Sequence, residues 1–158
     1  MSLFTAIQEQ IRERLDEHED FAAIPVVTED RQTITTEIAE SLAASGLAEN
    51  PEGKVGLAIV LTTPAFEAES PEADALVLGL TVIISVYENT VINQGATGTG
   101  TPALEVVESI CRQLHAWRPE RGLDPVRVLG MESEEANGVV VYHLRARTAR
   151  VLSPEENQ

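Results

Sequence analysis

The stretch ALVLGLTVIISVYE, residues 75–88, places Leu76, Leu78, Leu80, Val82, Ile84 and Val86 at every second position. A period of two puts those six side chains on one face of an extended strand, so the chain must build a sheet and cover that face. A partner strand lies just upstream. VGLAIVLTT, residues 55–63, is too short and too β-branched to favour a helix, and it sets Val55, Leu57, Ile59 and Leu61 on one side. The segment between the two strands, PAFEAESPEAD, reads as a long acidic loop carrying Glu67, Glu69, Glu72 and Asp74, which makes the pair an antiparallel hairpin with an extended tip.

A second hairpin is signalled near the C-terminus. VRVLGMES and VVVYHLRARTARVL flank EEANG, and the pair Asn137 and Gly138 is a strong two-residue turn. Three segments carry helical spacing instead. Leu3, Phe4, Ile7, Ile11 and Leu15 recur every three or four residues over positions 2–17, with polar residues between them. Pro25 then interrupts any helix, and Val26 and Val27 favour an extended crossing segment. Asp30 can cap a second helix bearing Ile34, Ile38 and Leu42 and ending at Gly46. Thr101 can cap a third, with Pro102 at its first position and Leu104, Val107, Ile110, Cys111 and Leu114 as its buried stripe.

Two hairpins and three amphipathic helices predict a two-layer α+β fold, with a mainly antiparallel four-stranded sheet packed by the helices. The 158 residues suit one domain, expected over residues 1–152, with 153–158 as a flexible C-terminal tail. Apolar residues are 43% of the chain and aromatic residues only 4%, so the core has to be aliphatic. No apolar run approaches a membrane span, and the N-terminus lacks the features of a signal peptide, so a soluble intracellular protein without membrane contact is expected.

Chemistry is harder to find. A single cysteine, Cys111, excludes an intrachain disulfide and a cysteine-cluster zinc site, and its spacing reads as a core thiol. His18, His115 and His143 fall in three different elements without zinc-ligand spacing, so no metal is expected. The acidic run around His18 reads as a solvated helix end rather than a cation site. No nucleophile elbow or acid–base pair stands out, and no enzyme activity is expected.

The loop before the third helix, GATGTGT, invites comparison with a phosphate cradle through Gly95, Thr97, Gly98 and Gly100. A nucleoside-triphosphatase loop requires a lysine before the helix, and Thr99 and Thr101 stand there instead. The glycine order is also the reverse of the dinucleotide fingerprint. Two readings stay open: a small phosphate- or nucleotide-binding regulatory module using the Gly95–Thr101 loop, with an anion at the helix start, or an arm ordered by a partner.

Charge supplies the remaining signal. The formal net charge is −15, from 26 acidic and 11 basic residues, which argues against binding the outside of a nucleic acid. Residues 1–111 hold 19 acidic and 4 basic side chains, whereas residues 112–158 hold seven of each. Within YHLRARTAR, an extended strand aligns His143, Arg145 and Arg147 on one face, opposite Tyr142, Leu144 and Ala146. That ladder is either a solvent-facing side of the sheet or a docking surface for the acidic loop 64–74 of a neighbouring copy. A contact between two different patches is heterologous and closes naturally into rings.

The order of elements resembles the tail terminator, or tail completion, proteins of long-tailed bacteriophages and related particles. The likeness runs through SLFTAIQEQIRERL, the extended AAIPVV, the helix ITTEIAESLAASG, the strand pair, the helix PALEVVESICRQLHAW and the final VVVYHLRARTARV. The resemblance implies a structural subunit of the virion tail and neck, assembled in the host cytoplasm. It implies a homohexameric ring that sits on the finished tail tube, stops its polymerisation and meets the neck or head-completion protein, with a sheath protein as a further partner. No cofactor is implied. In such a ring, an acidic lumen would let DNA pass without specific binding, because like charge keeps phosphates off the wall.

Overall fold

The computed structural model describes residues 2–28, 55–62, 64–69, 76–96, 98–120, 122–136 and 138–152. Helix α1 spans Leu3–Asp16, and its first turn is closed by Ser2, whose Oγ accepts from the Thr5 amide at 3.1 Å. A 3-10 turn, Glu19–Phe21, follows, then strand β1, Val26–Thr28. Strands β2, Leu57–Leu61, β3, Ala65–Glu69, and β4, Leu76–Asn89, come next. A single helical turn α2, Thr90–Asn93, leads through the glycine loop to helix α3, Ala103–Leu114. Strands β5, Arg127–Ala136, and β6, Val139–Leu152, complete the order. The helix expected from Asp30 to Gly46 lies outside the described residues.

The sheet has six strands in the order β1-β2-β4-β6-β5, with β3 also pairing β4. It is therefore mixed rather than four-stranded and antiparallel. The crossing segment at Val26 and Val27 becomes β1, which runs parallel to β2 with Val26 opposite Ile59. A parallel neighbour requires a long connection, and residues 29–56 are long enough to provide one. The second departure is β3. The expected loop at residues 64–69 instead continues the hairpin, with Ala65 opposite Thr81 and Glu69 opposite Val77. Backbone pairing to an already fixed β4 overrides the weak strand preference of AFEAE.

Strand β4 carries the fold. It pairs with β6 along its whole length, from Leu76 opposite Leu152 to Asn89 opposite Val139. Leu78, Leu80, Val82, Ile84 and Val86 all face the core, as their alternation predicts. Helix α1 packs on β1 and against α3, and α3 packs on β4 and β6. Ile7, Ile11 and Leu15 from α1, and Val106, Val107, Ile110 and Leu114 from α3, join one apolar cluster with Leu57, Ile59, Leu61 and Leu144. Every residue of β2 is buried, on both sides of the sheet, which explains its uninterrupted apolar run LAIVL. The second hairpin turns as expected: Ala136 pairs with Val139, and Gly138 takes a positive φ of 80°.

Candidate functional site

The glycine loop is organised by one side chain. Asn93, at the end of α2, is 0% exposed. Its Nδ2 donates to Glu88 Oε2 at 2.6 Å and to the Thr101 carbonyl at 2.8 Å, while its Oδ1 accepts from Thr99 Oγ1 at 2.6 Å and from the Thr99 amide at 3.2 Å. Its backbone carbonyl accepts from the Gly100 amide at 3.0 Å. Gly98 lies so close to Asn93 that a side-chain carbon there would overlap the Asn93 backbone oxygen. Gly100 has a φ of 72°, in the left-handed region that favours glycine. These glycines let the chain wrap a buried amide. Thr97 lies outside the described residues.

The start of α3 already holds an anion. Glu88 is buried and its Oε2 accepts from the Ala103 amide at 3.3 Å. The expected Thr101 cap is not formed: Pro102 is the residue before the helix, it has no capping side chain, and Glu88 supplies the acceptor from β4. A carboxylate at a helix N-terminus is favourable for the same reasons a phosphate would be. The phosphate-cradle arrangement is thus filled from within the fold.

The basic ladder on β6 is formed. Leu144 and Ala146 point into the core while His143, Arg145 and Arg147 share the other face. His143 is anchored on both sides, its Nδ1 2.7 Å from Ser85 Oγ on β4 and its Nε2 2.9 Å from Glu134 Oε1 on β5. Serine, histidine and a carboxylate in line invite a hydrolase reading. The setting opposes it, because Ser85 is 4% exposed in the middle of a paired strand, so no acyl group can reach its oxygen. Three concavities, lined around Arg127 and Arg147, around Arg14 and Trp117, and around Asp20 and Arg112, include none of the three residues. The alignment stitches strands β4, β6 and β5.

Sequence reasoning missed Arg127. It lies directly opposite Arg147 across β5 and β6, and both line a concavity of about 420 Å³ with Asp124, Pro125, Leu129, Thr148 and Ala149. Arg145 lies over Gly130, its guanidinium 3.5 Å from where a side-chain carbon would stand. Arg150 pairs with Glu120 at 3.1 Å. Of the acidic set, Glu67 is exposed on β3, on the same face as the arginines, since it pairs with Gly79 opposite Ala149. Glu69 ends β3, and Glu72 and Asp74 lie outside the described residues.

Among the described residues, no group of three or more His, Cys, Asp or Glu gathers as for a metal ion, and no helix is long and apolar enough to cross a membrane. No protein-family model matches the chain, and no curated protein matches it. Among solved structures, the fold is similar to that of a chain in "Virion of native gene transfer agent (GTA) particle", with 17% sequence identity and a TM-score of 0.61. The match covers 96% of this chain and 98% of that one. At that identity the likeness is one of fold.

Proposed function

We infer that this chain is a structural protein of a tailed phage or phage-like particle, and that it acts there as the tail terminator. The observation that carries the reading is the nearly complete, two-way overlap with a chain of a gene-transfer-agent virion, a particle built from many protein subunits. Fold alone does not dictate function, but two further features favour an assembly part over an enzyme. The glycine loop and the helix start are filled by Asn93 and Glu88, and the Ser85–His143–Glu134 line is closed to substrate.

Six copies form a ring on the end of the tail tube, through a heterologous interface that uses the β6 ladder of Arg145 and Arg147 and the acidic residues Glu67, Glu69, Glu72 and Asp74. One side of the ring caps the tube protein and the other receives the neck protein, while DNA passes an acidic lumen without adhering. The test is direct: purified protein is added to polymerising tail tubes, and tube length and end structure are read by electron microscopy. Capped tubes that stop growing support the reading; uncapped tubes of unlimited length refute it.

A further inference from the structure

Two pairs of like charges lie on opposite layers of the domain. On the outer face of the sheet, Arg127 and Arg145 are both exposed, and neither forms an ion pair among the described residues. Arg145 stands two residues before Arg147 on β6, and Arg147 faces Arg127, so the exposed two are diagonal neighbours about 7 Å apart at Cβ. Arg147 itself is already engaged and takes no part here. Glu134, further along the same face, is held by His143. Helices α1 and α3 cover the other face, since Ile11 and Ile110 share the core with Ile59 and Leu144. On the outward side of that helix layer, Glu13 and Glu17 lie one turn apart, about 6 Å at Cβ, both exposed and neither in an ion pair among the described residues. The cations beside them are committed elsewhere. Arg12 pairs with Glu9 and Asp16, while Arg14 lies 4.7 Å over the Trp117 ring and donates to the Gln113 carbonyl.

We propose that Arg127 and Arg145 of one copy dock on Glu13 and Glu17 of the next. Two guanidinium groups meet two carboxylates at similar spacing, and the arginine stems lie along Trp117 and Pro119, which wall the hollow of about 420 Å³ that both glutamates line. Charge selects the occupant. Residues 3–21 carry six acidic and two basic side chains, so this layer repels a copy of itself and attracts a basic surface, which the opposite side of the same chain supplies. Because the two surfaces lie on opposite sides of one domain, each copy offers both, and the contact runs head to tail. It is made by side chains, and it leaves the Val126 and Val128 amides in their bonds to the Trp117 carbonyl and to His115. The proposal rests on the ring reading and adds to it an acidic element on the helix layer.

Charge exchange between chains tests it. One variant carries Arg127→Glu with Arg145→Glu, and the other Glu13→Arg with Glu17→Arg. All four positions are exposed, and unchanged melting temperatures verify that each variant folds. Association is measured by sedimentation for free protein and by electron microscopy for protein on tube ends. Each variant alone is expected to associate at least about tenfold more weakly than wild type, because every junction then joins like charges. An equimolar mixture is expected to recover most of that loss, since alternating the two chains makes every junction attractive again. Variants that assemble as wild type does, or a mixture no better than its components, would overturn the contact, and so would a wild-type chain that stays monomeric both free and on tubes. If wild type caps tubes while both variants are silent, only this contact fails. If the mixture recovers as expected yet tubes are never capped, the contact stands and the terminator reading falls.

Discussion

Glu88 Oε2 lies 2.6 Å from Asn93 Nδ2, and both residues are buried. The same carboxylate oxygen accepts from the first amide of α3, so a single buried acid joins the end of β4, the glycine loop and the start of a core helix.

Replacing Asn93 with Ala strips Glu88 of its side-chain partner, leaves the Thr99 amide unmatched and leaves the Thr101 carbonyl only the 3.5 Å bond from Thr99 Oγ1. Breaking a hydrogen bond to a buried charged group is costly, and unfolding in urea should show a loss of about 3 kcal/mol or more. A variant within about 0.5 kcal/mol of wild type would mean that the network contributes little.

The two loop glycines should differ. A side-chain carbon on Gly98 runs into the Asn93 backbone, whereas one on Gly100 meets open space but sits at a positive φ. Gly98→Ala should cost about 3 kcal/mol, as overpacking against backbone does, and Gly100→Ala about 1–2 kcal/mol from conformation alone. Urea midpoints check the order, and a reversed order would contradict the packing role of Gly98.

The filled helix start also predicts how the protein treats phosphate ligands. Titration calorimetry with ATP and with pyrophosphate should give no saturable heat, since Glu88 occupies the position an anion would take and repels another. Micromolar binding lost in Gly98→Val would favour the nucleotide-binding alternative.

His143→Ala removes the bridge between Ser85 and Glu134. Because Ser85 is buried, the loss should be about 1–3 kcal/mol in stability. Hydrolysis of an activated ester such as p-nitrophenyl acetate should be equally slow in wild type and variant. A variant that folds normally but loses a measurable esterase rate would instead make the trio catalytic.

Burial pushes the Cys111 thiol up from its ordinary value, with Glu108 adding in the same direction. A raised thiol is mostly protonated at neutral pH and a poor nucleophile. Alkylation of native protein at pH 7.5 should therefore run at least about tenfold slower than after unfolding. Equal rates would mean that the thiol is open to solvent.

Where the local signal was strong, the fold was legible before the structure. The spacing of α1 and the turn at Gly138 stand as read, and the alternation in β4 holds from Leu78 to Val86 while Leu76 is exposed; in α3 the stripe shifts, with Val106 buried and the expected Leu104 exposed. What escaped was set by distant partners. Strand β1 is only three residues long and is defined by lying beside β2, and β3 is a polar segment that becomes a strand because β4 offers it a free edge. The cap on α3 comes from Glu88, fifteen positions upstream, whereas the residues adjacent to the helix point to Thr101. The arginine ladder followed from strand periodicity, but the facing Arg127 required knowledge of the register between β5 and β6.

Strand β4 is gripped along one side by β6 for its whole length and along the other by β2 and then β3. A pull directed along this strand would have to shear those rows of hydrogen bonds together rather than peel them one by one. A subunit made this way resists tension in one direction far better than across it.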